Sequence, residues 1–382
     1  MQAVRAAERQ KKEFYVDYSM IFIVLFLLTF GLIMLYSTSS YEAAIDHSDA
    51  AYFFKRQLGF TMFGLAVMAV VSRIPYTFYK RFAVPVYFVS GIMVLLVKTG
   101  LGREVNGARR WLNIAGLSIQ PAEIAKLGMI IALATLIDRM NRMIATPRGF
   151  WFVLAVPVPI ALAVFKVTEN LSSAIIIMGI AFIMLFVSTP GYRRFVLIIS
   201  GILGLAAIIV FAVAKAGYNS ELNYRFVRIL AWLDPEAYVN GKGYQTLQAL
   251  YAIGSGGIFG KGLGESMQKL GFIPEAQNDM IFSIICEELG LFGAIAVLFM
   301  FVLLLWRMLI VANNAPDMYG ALLVIGVIGH IALQVILNVA VVTNTIPNTG
   351  ITLPFISYGG SATLFLLTEI GIVFNVARNI EM

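Results

Sequence analysis

Residues Asp279 to Trp306, DMIFSIICEELGLFGAIAVLFMFVLLLW, form a nearly unbroken apolar run that nonetheless carries three acids, Asp279, Glu287 and Glu288. About twenty apolar residues cross the hydrocarbon of a bilayer, so a helix of this length spans a membrane with its first two turns standing proud. At the helical rise, Asp279 then sits about 12 Å above Glu287, at headgroup height. Ser283 and Cys286 share the Asp279 face and Glu288 lies opposite. A charge near hydrocarbon costs from a few to more than ten kcal/mol, by rough estimate, and is by default either paired or functional. Asp279 therefore reads as the acid facing water and headgroups, and the two glutamates as needing partners inside. Asn278 or Asp279 also suits a helix cap, a role that does not exclude a chemical one.

The rest of the chain is built the same way. Of its 382 residues, 60% are hydrophobic and 13% charged, with a mean hydropathy of +0.85. These values exclude a soluble domain and place the chain among all-α polytopic membrane proteins. Apolar runs lie at about 18–37, 57–72, 82–98, 121–138, 150–166, 172–188, 195–214, 279–306, 318–342 and 360–377, giving about ten transmembrane helices in a single domain covering 1–382. The first run is long for a cleavable signal and reads as a retained span.

The formal net charge of +7 is scattered between apolar runs instead of gathered on a stripe, which points to anionic lipid as partner and away from nucleic acid. With a cytoplasmic N-terminus, fourteen Lys and Arg fall in the inner segments and seven in the short outer loops, so both termini are expected inside. Two large loops then face outward, Thr99–Gln120 and Lys215–Asn278, and binding groups collect on such loops. An uninterrupted loop of 64 residues (278 − 215 + 1) exceeds what a connector needs.

The first of these loops sets Arg109, Arg110 and Trp111 side by side. Adjacent guanidinium groups suit a phosphate, and Trp suits a sugar face or the headgroup layer. An interfacial anchor is the equal alternative. Pro121 and Glu123 then mark an ordinary helix start, and Lys126 shares the Glu123 face about 8 Å into the span. Two readings stay open there, a structural ion pair and a polar cavity at the outer leaflet.

The second loop crowds seven glycines around Lys261. The Walker pattern fails, because Ser255 stands where its first glycine belongs and Gly262 where its Ser or Thr belongs. What survives is a flexible glycine-rich segment whose N–H groups and Lys261 meet a lipid phosphate, against the alternative of plain turns. Thr246–Ile258 is too short to span and reads as an interfacial or re-entrant piece. Arg225, Arg228, Trp232 and Asp234-Pro235 read as helix, anchor and turn. His330, Gln334 and Asn338 form a polar stripe that would partner Glu287 or Glu288. Two histidines and a lone Cys286 make no transition-metal site.

Several stretches make the sequence recognisable: DYSMIFIVLFLLTFGLIMLYSTSS (Asp17–Ser40), NGARRWLNIAGLSIQPAEIAK (Asn106–Lys126), Gly241–Gly264, GFIPEAQNDMIFSIICEELG (Gly271–Gly290) and PFISYGGS (Pro354–Ser361). In order, and across nearly the whole chain, they resemble the SEDS family of bacterial cell-wall proteins (FtsW, RodA and SpoVE), with the look closest to FtsW and SpoVE. The resemblance implies a ten-helix peptidoglycan glycosyltransferase of the bacterial cytoplasmic membrane. It would polymerise lipid II on the outer face with a class B penicillin-binding protein, among other divisome or elongasome proteins. It also implies that Asp279 is the essential acid and that Trp111, Glu123 and Lys126 line the outer cavity. Gln277 and Asn278 depart from the His-Thr that often precedes the acid, and Ala362 from a second Ser often found after the GGS; Ser357 in the same motif is a further candidate contact.

Joining two lipid II molecules needs a base for the attacking sugar hydroxyl and cations for the departing pyrophosphate. Asp279 is the expected base, with inversion at the donor carbon. Arg109, Arg110, Lys261 or a divalent cation, magnesium or manganese, would steady the leaving group. The alternatives are a lipid II flippase or transporter, for which paired interrupted spans are missing, and a recruiting scaffold, which leaves the buried acids unexplained.

Overall fold

The structure, a computed structural model, describes residues 17–105, 108–114, 117–216, 224–239 and 241–380. The basic residues Arg5, Arg9, Lys11 and Lys12, and the Arg225 side chain, lie outside what is described. Helices dominate: α1 (Tyr18–His47), α2 (Tyr52–Val71), α3 (Tyr79–Leu96), α4 (Pro121–Met140), α5 (Pro147–Ala155), α6 (Val158–Val167), α7 (Leu171–Ser188), α8 (Arg193–Ala216), α9 (Tyr224–Leu233), α10 (Lys242–Gly256), α11 (Ile281–Asn313), α12 (Met318–Val342) and α13 (Gly360–Arg378).

Among the described residues nine helices, with α5 and α6 counted together, are long and apolar enough to cross a membrane. The tenth span of the sequence reading is α4, whose Glu123, Lys126, Asp138 and Arg139 keep it off a hydropathy count although most of it is buried. The chain is thus an all-α polytopic membrane protein. Its fifth span is not one helix: α5 ends at Ala155 and α6 starts at Val158, with Pro157 unable to donate to the preceding turn.

Local sequence explains the helix starts. Asp17, Asn170 and Asp317 accept hydrogen bonds from the N–H groups three residues on, at 3.0, 3.0 and 2.7 Å, ordinary capping by short polar side chains. Pro121 opens α4 at a position where its missing N–H costs nothing. The centre of the bundle is α12 with α13, two-thirds of whose apolar windows are buried (67% each), whereas only 6% of that of α8 is. Almost nothing among the described residues covers α8, which leaves its apolar surface free to face hydrocarbon.

Two loop expectations change. The stretch Thr99–Gln120 is largely a three-stranded antiparallel sheet, β1 (Gly102–Val105), β2 (Ala108–Ile114) and β3 (Leu117–Ile119), in the order β1-β2-β3. Arg103 pairs with Trp111 across β1 and β2, just before a register shift. The long loop is interrupted by α9 and α10, and the Thr246–Ile258 run belongs mostly to α10, which packs along α11.

The largest departure is in α11. It begins at Ile281, not Asp279, and breaks at Gly290, whose φ of 67° and ψ of −168° belong to a region that only glycine enters readily. The nine-residue stub Ile281–Leu289 and the membrane helix beyond it are therefore separate pieces, and the straight-rod height assigned to Asp279 does not hold. The glycine-rich segment fills the break. Lys261 and Gly262 donate their N–H groups to the carbonyls of Glu287 and Glu288 at 3.0 and 2.9 Å, while Leu291 and Phe292 donate to Gly257 and Ile258 at 2.9 and 3.1 Å. Gly260 and Gly290 face each other so closely that a Cβ on Gly290 would lie 2.3 Å from the Gly260 nitrogen. The glycines serve backbone-to-backbone contact, and the N–H groups once assigned to a phosphate are occupied within the protein.

Candidate active site

Asp279 ends the turn that leads into the stub, and three loops converge around it. Asn338 on α12 donates to the Asp279 carbonyl at 2.8 Å and to the Ile351 carbonyl at 2.6 Å, tying the turn to the loop before α13. Tyr358 N–H bonds the Gln277 carbonyl at 2.9 Å. Trp232 on α9 donates to the Asn344 carbonyl at 2.9 Å, and Asn348 donates to Gln245 on α10 at 3.0 Å. Gly350 stands against the acid, a methyl there lying 3.7 Å from Asp279 Oδ2.

These loops, the sheet and the ends of α1 and α2 enclose a cavity of about 770 Å³. Its described lining includes four arginines, Arg56, Arg103, Arg110 and Arg228, against two carboxylates, Glu275 and Asp279. Trp111, Trp232, Tyr52 and Tyr358 supply flat apolar faces. Arg110 donates to the carbonyls of Thr168 and Glu169, both at 3.2 Å, which fixes its guanidinium at the wall. Asp279 is half-buried. Burial, and secondarily the negative charge of Glu275, push its carboxyl up to about 7, against the opposing pull of Arg110 and Arg228.

A small annex of about 50 Å³ adjoins the cavity, sharing Gln120, Asn170, Gly350 and Thr352 with it. Glu123 and Lys126 line it, paired at 2.7 Å and both buried. The two readings of that pair are thus compatible: it is a salt bridge and it borders a polar cavity. Glu123 Oε2 has no partner there, nor has Gln334 Oε1.

Of the residues expected from sequence, Asp279, Arg110 and Trp111 meet in the cavity, and Glu123 and Lys126 stand in its annex. Three others are elsewhere. Arg109 points away and pairs with Glu104 at 3.3 Å on the surface. Ser357 is buried and its hydroxyl accepts from the Leu353 N–H at 2.7 Å, shaping the loop before α13. Lys261 is held by Glu287 at 2.7 Å, because that carboxylate, fully buried at the helix break, needs a cation more than the distant cavity does.

Glu287 also accepts from the Ser266 hydroxyl and the Met267 N–H, while Glu288 accepts from Ser37 at 2.7 Å and Lys269 at 2.8 Å. The polar stripe of α12 does not partner either glutamate. His330 bonds Glu369 on α13 at 2.8 Å, and Gln334 donates to the Thr352 carbonyl at 3.0 Å. We expect Lys261→Ala to lower thermal stability and leave the apparent KM for substrate within about twofold; a severalfold rise in KM with stability intact would return Lys261 to the binding site. Lys269→Met should cost more, roughly 3–5 kcal/mol, since it leaves Glu288 buried and unpaired.

Sequence reasoning missed Arg56, Arg103 and Arg228 as cavity residues. Each is an ordinary loop or helix-end arginine in sequence, and only tertiary structure brings them to one wall. The signal for Glu369 was legible, a lone acid in the last apolar run. Among the described residues, no group of three or more His, Cys, Asp or Glu converges to hold a metal ion. A hard divalent cation takes about six oxygen ligands, and two carboxylates ringed by four guanidiniums are a poor donor set for a resident one.

Residues 18–382 match the FtsW–RodA–SpoVE profile, described as a cell cycle protein. The chain belongs to this family. It is 39% identical over 367 residues to stage V sporulation protein E of Bacillus subtilis, covering 95% of this chain and 97% of that one. It is 37% identical to the probable peptidoglycan glycosyltransferase FtsW of Trichlorobacter lovleyi, covering 96% and 94%. Among solved structures, a chain from work on structural coordination of polymerization and crosslinking by a peptidoglycan synthase complex superimposes with a TM-score of 0.78 at 28% identity, over 95% of this chain and 98% of that one. The rod shape determining protein RodA of Thermus thermophilus does so with a TM-score of 0.68 at 25% identity, over 96% and 98%. This FtsW–RodA–SpoVE protein therefore shares that fold over 95–96% of its length.

Proposed function

We propose that this family member is a peptidoglycan glycosyltransferase that polymerises lipid II at the outer face of the bacterial cytoplasmic membrane. The carrying observation is the half-buried Asp279 carboxyl set in a cavity lined by four guanidinium groups, where burial pushes its pKa up to about 7. That combination suits displacement of a pyrophosphate by a sugar hydroxyl. Asp279 accepts the proton of the acceptor hydroxyl, the new bond forms at the anomeric carbon with inversion, and the bond to the undecaprenyl pyrophosphate breaks. Arg110 and Arg228 face the developing negative charge, and the tryptophans offer stacking surfaces for sugars. The family resemblance and the relatives named as glycosyltransferases support the reading, as does a fold neighbour from a peptidoglycan synthase complex. A class B penicillin-binding protein, with other divisome or elongasome proteins, is the proposed partner. The breaks at α5–α6 and at Gly290 are the one feature a flippase would share, but neither lines the charged cavity.

The test is gel separation of glycan chains made from labelled lipid II by the purified protein, alone and with its partner; no chains in either case would refute the activity. The pH profile tests the base more finely. A base titrating near 7 is protonated and idle below that pH, so the rate should rise through about pH 7. Glu275→Gln removes a negative neighbour, lowers the Asp279 pKa and shifts the rising limb to lower pH. Arg110→Gln removes a positive one and shifts it upward. Identical limbs in all three proteins would detach the profile from Asp279.

A further inference from the structure

The end of the bundle opposite the cavity carries positive charge that the described residues do not balance. Every described acid there is already engaged: Asp17 with Arg307 at 2.7 Å, Asp138 with Lys80, and Asp317 with the Gly320 N–H and the Tyr76 hydroxyl. The exposed guanidinium groups of Arg142, Arg148 and Arg193 bond to nothing among the described residues. Those three come from different segments, the turn after α4, the start of α5 and the start of α8, and the fold holds these together. Arg194 donates to the Ala145 carbonyl at 3.3 Å and its guanidinium lies 5.5 Å from the Phe150 ring centre. Phe195 meets Phe150 edge-on at 5.4 Å, and also Phe182 and Phe186 of α7.

Directly beside this cationic corner the surface is apolar and uncovered. Trp151 and Phe152 are more than half exposed, as are Phe186 and Val187 at the end of α7 and Leu197 on the second turn of α8. Three exposed cations next to an uncovered apolar surface match an anionic group attached to hydrocarbon chains.

We propose that Arg142, Arg148 and Arg193 form a binding site for the phosphate of an anionic glycerophospholipid, whose acyl chains lie along the exposed faces of α5, α7 and α8. The site is separate from the cavity and takes a lipid as a bound component. Charge complementarity favours it, since guanidinium forks bind phosphate in two-point fashion and basic pockets between spans accept lipid headgroups. Such a lipid would fasten the end of α8, the least packed span, to α5 and α7.

The test uses the full chain in detergent, titrated with phosphatidylglycerol, with phosphatidylcholine and with inorganic phosphate, and read by native mass spectrometry and by thermal unfolding. Phosphatidylglycerol should give a one-to-one adduct and raise the unfolding temperature, and the other two should give neither. Arg148→Gln with Arg193→Gln should weaken the adduct roughly 30-fold, at about tenfold per 1.4 kcal/mol and about 1 kcal/mol for each basic residue. These side chains bond to nothing described, so the double variant should unfold at the wild-type temperature without lipid.

Arg73→Gln with Arg81→Gln removes the same charge from the same end and should leave the adduct in place. Equal weakening by both double variants would mean diffuse attraction only, and an equal response to phosphatidylcholine would mean hydrophobic coating; either overturns the site. A response to inorganic phosphate as strong as to the lipid would overturn the lipid assignment.

Discussion

Asp279→Asn should lower glycan polymerisation from lipid II by roughly 10²–10⁴-fold, the range that one positioned acid–base group supplies. The substitution keeps the shape of the carboxyl and removes its capacity to accept a proton. The backbone contact that holds the turn, from Asn338 to the residue 279 carbonyl, does not involve the changed side chain. Unfolding temperature and lipid II binding should therefore stay near wild type while turnover falls. A variant that still polymerised at half the normal rate would remove Asp279 from the chemistry, whatever else lines the cavity.

Gly290→Val should cost about 3 kcal/mol or more of stability, a loss on the scale expected for Lys269→Met. Two terms add. The backbone region at φ 67° and ψ −168° is almost closed to a residue with a Cβ, at roughly 1–3 kcal/mol. The new Cβ would also stand 2.3 Å from the Gly260 nitrogen and 2.5 Å from the Ile258 carbonyl oxygen, neither of which is a flexible side-chain tip. Thermal unfolding in detergent measures the result. A continuous helix through residue 290 would tolerate valine with a loss below about 1 kcal/mol, and that outcome would contradict the break.

The same glycine shows where sequence stops being informative. The apolar runs gave the spans because hydrocarbon demands length and low charge from each one separately, so the evidence for each span is local. Asp279, Arg110 and Trp111, which the structure brings to one cavity, could be singled out because each flanks an apolar run, although a cap or an interfacial anchor explained them equally well. Gly290 looked like any glycine inside a helix, because the partner that needs it, Gly260, lies thirty residues away and has no periodicity to betray it. Assigning Lys261 to a phosphate failed on the same ground, since the demand of Glu287 for a cation appears only once the two segments are seen in contact. Arg56, Arg103 and Arg228 were likewise invisible as a set, coming from α2, β1 and α9. The strands of the first outer loop are short and face a cavity, so they show no clean alternation. The family resemblance suggested the role proposed for Asp279 where residue patterns alone left a cap as a rival.

The stitched break in α11 also implies an order of events during biogenesis. Residues 291–313 make a span of ordinary length that can enter the bilayer on its own, but the stub before it cannot be completed locally. Its last carbonyls wait for Lys261 and Gly262, and its glutamates wait for Lys261, Lys269 and Ser37. Ser37 belongs to the first span, 251 residues from Glu288, so the final closure joins the start of the chain to a segment made much later. Contacts of such separation form late, after the entropy of closing the intervening chain has been overcome. A nascent or misassembled copy can therefore sit in the membrane with its spans inserted and its acid unplaced, silent until the two ends of the fold have met.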